Sequence, residues 1–166
     1  MEELLENLIF LFRNEMPELK VIDEDFGQLE MIDDDTRDTY PLTFPALLIE
    51  APQTEWSNIL RLHQKGLATI RTRLIIDCYD DTHARSGTVE KIREREAMRK
   101  KVHEFLQGHR IGTDSSLIRT GSRFFTWNHG IKVYEQTYTI EVTELIPPKT
   151  KKIPPGQLKV KIVPKF

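Results

Sequence analysis

Leu67-Ala68-Thr69-Ile70-Arg71-Thr72-Arg73-Leu74-Ile75-Ile76-Asp77-Cys78-Tyr79 is the stretch that decides the fold. Its alternate residues make two unlike rows. One row is Ala68, Ile70, Thr72, Leu74, Ile76 and Cys78; the other is Thr69, Arg71, Arg73, Ile75, Asp77 and Tyr79. Side chains along a strand point to opposite faces in turn, so a period of two predicts a strand lying on a core. Upstream, His63-Gln64-Lys65-Gly66 reads as a turn, preceded by an alternating strand over 56–62. The proline-bounded apolar run 44–52 predicts a buried strand, and 19–22 a short one. Leu4, Leu5, Leu8, Ile9, Leu11 and Phe12 fall at helical spacing, with Pro17 just past the end, which predicts a helix over 2–14.

Downstream, a polar stretch ends at Thr88, which has the chemistry of an N-cap. The pattern Val89, Ile92, Met98, Val102, Phe105, Leu106 then predicts a long amphipathic helix. Gly108 is placed to end it in the left-handed conformation. Glu96 and Lys100 stand four residues apart on its charged side, a spacing worth a few tenths of a kcal/mol. Runs over 116–127 and 131–146 flank Asn128-His129-Gly130, which predicts a hairpin. In the last strand Tyr134, Gln136, Tyr138, Ile140 and Val142 share one face. The order helix, strands, helix, hairpin predicts an α+β domain with a mostly antiparallel sheet packed by two helices.

Leu, Ile, Val and Phe make up 48 of the 166 residues, enough for a real core in one domain. No apolar run approaches the roughly 18 residues of a membrane-crossing helix. The opening Met1-Glu2-Glu3 is acidic where a secretory leader is basic. One cysteine, Cys78, excludes an intrachain disulfide and a cysteine-based zinc cluster. A soluble cytoplasmic chain is the expectation.

Charge is unevenly placed. Residues 147–166 hold six lysines, no acid and five of the nine prolines. Residues 1–146 then hold 18 basic and 26 acidic residues, a net of −8. The expected organisation is a domain over 1–146 and an extended basic arm over 147–166. Proline fixes its own backbone angle and lacks an amide donor, so the arm cannot be a helix or an inner strand. Leu158-Lys159-Val160-Lys161-Ile162-Val163 alternates and fits an edge strand. Acid concentrates in Asp23, Glu24, Asp25, Glu30, Asp33, Asp34, Asp35 and Asp38. The expected subunit contacts pair Asp33, Asp34 and Asp35 with Lys149, Lys151, Lys152, Lys159 and Lys161, within a subunit or between neighbours. Trp56 and Trp127 are the candidates for exposed aromatic contacts.

Chemistry has weak candidates only. Asp77, Asp80, Asp81 and His83 follow a strand, as a divalent-metal nuclease requires, but they also suit an ordinary solvated loop, which is the reading preferred. Cys78 reads as a small core residue rather than a nucleophile. The other histidines lack metal-ligand spacing, and no nucleophile elbow, phosphate loop or dinucleotide fingerprint occurs. No catalytic residue, metal or cofactor is expected. Basic residues on the 88–107 helix are diluted by Glu90, Glu94, Glu96 and Glu104. Phe124-Phe125-Thr126-Trp127 has the texture of a base-stacking strand, but reads first as core plus one exposed aromatic.

The layout, with Phe44-Pro45-Ala46-Leu47-Leu48-Ile49, Thr54-Glu55-Trp56-Ser57, the strand ending Asp77-Cys78-Tyr79-Asp80, the charged helix and the closing hairpin, resembles the tail terminator (tail completion) proteins of tailed bacteriophages and prophages. The resemblance covers about residues 1–146; the Pro-rich arm departs from it. It implies a non-enzymatic α+β subunit that assembles as a hexameric ring, caps the finished tail tube and joins it to the capsid connector. The implied partners are further copies of the chain, the tube protein and connector or neck proteins. DNA passes through the lumen without specific binding, and no membrane is involved. The implied location is the host cytoplasm during assembly and then the virion tail or neck. Another head–tail joining protein, a small nucleic-acid adaptor and, last, the metal-dependent nuclease are the alternatives.

Overall fold

The computed structural model describes residues 2–32, 42–60, 62–78, 87–111 and 115–147. In chain order the elements are α1 (Glu2–Glu15), β1 (Val21–Glu24), β2 (Ala46–Ile49), β3 (Gln53–Leu60), β4 (His63–Ile76), α2 (Thr88–Leu106), β5 (Ile118–Thr126), a single 3-10 turn (Asn128–Gly130) and β6 (Lys132–Leu145). The fold is α+β, as the alternation and helical spacings predict. Six strands form a sheet in the order β1-β2-β4-β6-β5, with β3 also paired to β4. All pairings are antiparallel except β1 with β2.

β4 is the centre. One edge pairs with β6 along its whole length, from His63 opposite Leu145 to Ile76 opposite Lys132. The other edge is divided: β3 takes 63–69 and β2 takes 72–75. Opposed residues share a face, so Ala68, Ile70 and Leu74 stand beside Ile140, Tyr138 and Tyr134. Both helices cover that inner face. Leu4, Leu5, Leu8 and Phe12 of α1 pack with Val102 and Leu106 of α2 over Leu47, Ile49, Ile70 and Leu74. Phe12 meets Phe105 edge to face at 6.5 Å, and Lys101 of α2 binds Glu18 beyond α1 at 2.7 Å. Burial pushes the Glu18 carboxyl up, but the hydrogen bond and charge of Lys101 together with a backbone hydrogen bond outweigh it and hold Glu18 below the usual carboxylate range.

The outer face holds a second core that the sequence reading did not anticipate. Leu29, Ala46, Leu48, Ile75, Ile131 and Val133 form it, with Ile32, Phe44, Phe125 and Trp127 packed alongside. Ile75 interrupts an otherwise polar row, and this core is what it touches.

Several local expectations are corrected. His63-Gln64-Lys65-Gly66 is the start of β4, not a turn; β3 and β4 meet two residues earlier, at the Leu60–His63 pair. β4 ends at Ile76, short of Asp77 and Cys78. The short strand of 19–22 lies at Val21–Glu24. Thr88 is the first helical residue rather than the cap; Gly87 occupies the cap position and supplies no side-chain hydrogen bond. Val89 and Ile92 are exposed, and the residue buried in that half of α2 is Arg95. Glu96 pairs with Arg99, one helical turn away, rather than with Lys100, and this hydrogen bond holds the Glu96 carboxyl below its ordinary range. Gly108 has the expected positive φ of 78°.

Gly66 has a packing role. A Cβ built there would lie 2.5 Å from Thr54 Cγ2 and 2.9 Å from Trp56 Cε3. Glycine therefore lets the indole of β3 lie across β4. Gly66→Ala is expected to push Trp56 away and destabilise the chain by about 1–3 kcal/mol, the usual cost of overpacking. A urea midpoint unchanged from wild type would show that the ring moves aside freely.

Candidate functional site

The division of β4's edge leaves a projection. Beyond the helices, β3, the first half of β4 and the last residues of β6 form a three-stranded ribbon. Thr54, Trp56 and Asn58 lie on its inner face, opposite Ala68, Gly66 and Gln64. Leu60, His63 and Leu145 form one row across the outer face, with Leu67 farther in. Trp56, Ile59, Leu60, Leu67 and Leu145 are between 41% and 64% exposed. Single exposed apolar residues are ordinary; here five share one projection, Trp56 on its inner face and Leu60, Leu67 and Leu145 on its outer face. A register shift between Asn58 and Leu60 bends the strand at the tip. On the outer face Lys65 reaches diagonally to Glu141 at 2.9 Å.

At the other end of β4 is a second, different surface. Ile92, Arg95 and Arg99 of α2 face Ser122, Phe124 and Tyr134 across a groove of about 550 Å³. Ile92 and Phe124 are about half exposed there, and Val89, one helical turn before Ile92, is equally exposed. Phe124 stacks on Tyr134 with centroids 4.7 Å apart, and Arg95 donates to Cys78 Sγ at 3.0 Å. Cys78 is thus a half-buried acceptor at the sheet margin, not a core residue.

Between these surfaces the inner face carries a polar line. The Tyr138 hydroxyl donates to Gln136 Oε1 at 3.1 Å and lies 3.0 Å from His103 Nδ1. Since the phenol proton goes to Gln136, the tautomer assigned to His103 carries its proton on Nδ1 and donates to the phenol oxygen. Burial, with Arg119 and Arg99 nearby, lowers the His103 pKa and keeps the ring neutral. Burial pushes Tyr138 up to about 12.

The outer face carries an ion cluster. Arg73 Nη1 lies 2.7 Å from Glu30 and 3.3 Å from Asp25, while Arg71 Nη1 lies 2.9 Å from Glu50. Glu135 of β6 stands 3.9 Å from Arg71 and 3.7 Å from Arg73. Burial disfavours the Arg73 charge, but Asp25, Glu30 and Glu50 outweigh it and raise its pKa.

Part of the acidic stretch is therefore committed within the chain: Asp25 and Glu30 hold Arg73 rather than standing open to an arm. Asp33, Asp34 and Asp35 lie outside the described residues, as do Lys149, Lys151, Lys152, Lys159 and Lys161. Trp56 is exposed as expected. Trp127 is half buried, edge to face with Phe125 at 6.4 Å, so it is chiefly a packing residue of the second core. The exposed aromatic of its run is Phe124. Of the candidate metal ligands, Asp77 is described and half buried, whereas Asp80, Asp81 and His83 lie outside the described residues. Among the described residues no group of three metal-ligating side chains occurs, and no helix is long and apolar enough to cross a membrane. The sequence reading missed the α2 groove. Its signal was an apolar pair, Val89 and Ile92, inside an otherwise charged half-helix. No protein-family model matches the chain, and no curated protein matches it.

The Tyr138 line gives a pH prediction. Above pH 10 the unfolded chain releases a phenol proton that the folded chain holds until about pH 12. The stability from the neutral phenol is complete below pH 10 and is lost as pH rises, by about 1.4 kcal/mol per unit. Tyr138→Phe should be less stable than wild type near neutrality, and the gap should close from about pH 10 upward. Urea midpoints across that range check it; a constant gap would remove the phenol as the source.

Proposed function

We propose that this chain is a structural subunit of phage or prophage tail assembly. It closes with further copies into a ring that caps the tail tube and joins it to the connector. The observation that carries this reading is the ribbon, whose exposed apolar residues project beyond the helices. A subunit that closes a ring by head-to-tail contact needs two unlike surfaces, because the contact repeats by rotation. The ribbon tip and the α2 groove are unlike. They lie at opposite ends of β4, roughly 35 Å apart at about 3.3 Å per residue. One is apolar and carried on strands; the other mixes Ile92 and Phe124 with Arg95 and Arg99.

The charge balance supports the same role. A net of −8 over residues 1–146 repels phosphates, which suits a lumen through which a duplex slides without being held. The basic arm then finds its partner in protein.

Native mass measurement across protein concentration and salt tests the reading. The expected result is a discrete closed oligomer that binds the ends of tail tubes. Leu60→Lys with Leu145→Lys should leave a folded monomer with wild-type circular dichroism. Deleting residues 147–166 should weaken assembly and flatten its salt dependence, because the arm's lysines supply the attraction that salt screens. A chain that stays monomeric at all concentrations, with or without tube present, would overturn the proposal.

A further inference from the structure

We propose that residues 158–163 of one copy add as a strand to the open edge of β3 in the next copy, with their apolar side continuing into the groove beside α1. This deepens the ring reading and rests on it. The edge follows from the hydrogen-bond parity of the sheet. Glu50 N donates to Arg71 O, so odd-numbered residues of β4 turn their backbone groups toward β2 and β3. Lys65 is one of these, and its partner Ser57 faces it. The backbone N–H and C=O of Trp56 therefore point away from β4, and among the described residues no strand pairs with that edge. An open edge beside exposed apolar side chains is a template for an added strand.

At its base the edge runs into a groove of about 590 Å³ between α1 and the residues just before β3. Ile9, Phe10 and Pro52 give it an apolar floor; Glu2, Glu6 and Glu24 rim it, with Arg13 the one basic residue lining it. Phe10 is half exposed.

The segment 158–163 fits both features. Leu158, Val160 and Ile162 fall on one side of a strand, and Lys159 and Lys161 on the other. With the apolar side turned inward, beside Trp56 and toward α1, the lysines turn outward beside Glu55, which lies on the outer face opposite Leu67. The acidic rim complements the remaining lysines of an arm that has no acid of its own. The proline content of the arm selects the neighbour over the same chain. β6 ends at Leu145 in the tip row, and a strand added beyond the chain's own β3 would lie only about 14 Å away across the sheet. Residues 148–157 include Pro148, Pro154 and Pro155. Proline-rich spacers are semi-rigid at about 3.1 Å per residue, so ten such residues have a reach of about 30 Å, well beyond the chain's own edge.

The test is directional cross-linking in full-length chains carrying Cys78→Ser. A chain with Asn58→Cys is mixed with a chain carrying Leu158→Cys, Val160→Cys or Ile162→Cys, and oxidised mildly. The expected result is a disulfide-linked pair of different chains for at least one of the three, with a yield that drops about tenfold when Val160→Pro is placed in the Leu158→Cys or Ile162→Cys chain, because proline removes the amide donor. A closed oligomer that yields no cross-link in any mixture would overturn this inference and leave the ring standing. Linkage only within one chain, in double variants, would overturn the assignment to the neighbour. A chain that forms no oligomer would overturn the ring reading and this inference with it.

Discussion

The ladder between β4 and β6 is the interaction on which the rest of the structure depends. A strand slipped by one residue turns every side chain to the opposite face. Here such a slip would drive Arg71 and Arg73 under the helices and lift Ile70 and Leu74 off the core. The register is fixed from both sides of the sheet. On the inner face Ile70, Leu74 and Tyr138 are buried under α1 and α2. On the outer face Arg73 is approached by carboxylates from three segments: Asp25 and Glu30 after β1, Glu50 after β2, and Glu135 on β6. An exposed ion pair adds little to stability, but one half-buried guanidinium shared among several carboxylates specifies which segments meet. The same arginine holds down the chain that brings Leu29 and Ile32 onto the second core.

That constraint also creates the surfaces available for assembly. β4 is 14 residues long and the helices cover only part of it. β2 supports the covered part and β3 the remainder, so the remainder has no helix over it. Trp56 is partly sheltered because Gly66 lets it lie flat, but Ile59, Leu60 and Leu145 find no cover among the described residues. The long strand that makes the core thus also exposes its own continuation.

How much of this was legible in the sequence follows from where periodicity operates. The inner rows of β4 and β6, helix α1 and the Gly108 terminus could be read because one buried face imposes a regular repeat. His63-Gln64-Lys65-Gly66 was misread because a polar run with glycine has the composition of a turn, while this glycine makes room for the Trp56 indole that lies across it. The outer core was hidden because the 26–32 segment supplies Leu29 and Ile32 without a repeat. The acidic stretch looked like one surface, yet Asp25 and Glu30 are held by Arg73; separating them from Asp33, Asp34 and Asp35 requires knowing that Arg73 faces outward beneath them. The ribbon was partly signalled by the apolar residues of 56–62, but exposure depends on where the helices stop, which no local pattern records.

Helix α2 shows the same division in one element. Its second half is buried through Val102 and Leu106 and belongs to the core. Its first half touches the domain chiefly through Arg95, which reaches Cys78. Pairs such as Lys91 with Glu94 and Arg99 with Glu96 support that half locally, each by a few tenths of a kcal/mol. An exposed half-helix held by charge pairs has no structural need for Val89 and Ile92, since lysine or glutamine would serve helix propensity as well or better. Ile92 lines the groove with Phe124, and Val89 stands exposed one turn before it. The ribbon tip shows the same signature in Leu60 and Leu145 at the opposite end of β4. In the ring proposed above, two such surfaces, unlike in shape and chemistry and held apart by one continuous strand, would let the contact repeat from copy to copy rather than pair once and stop.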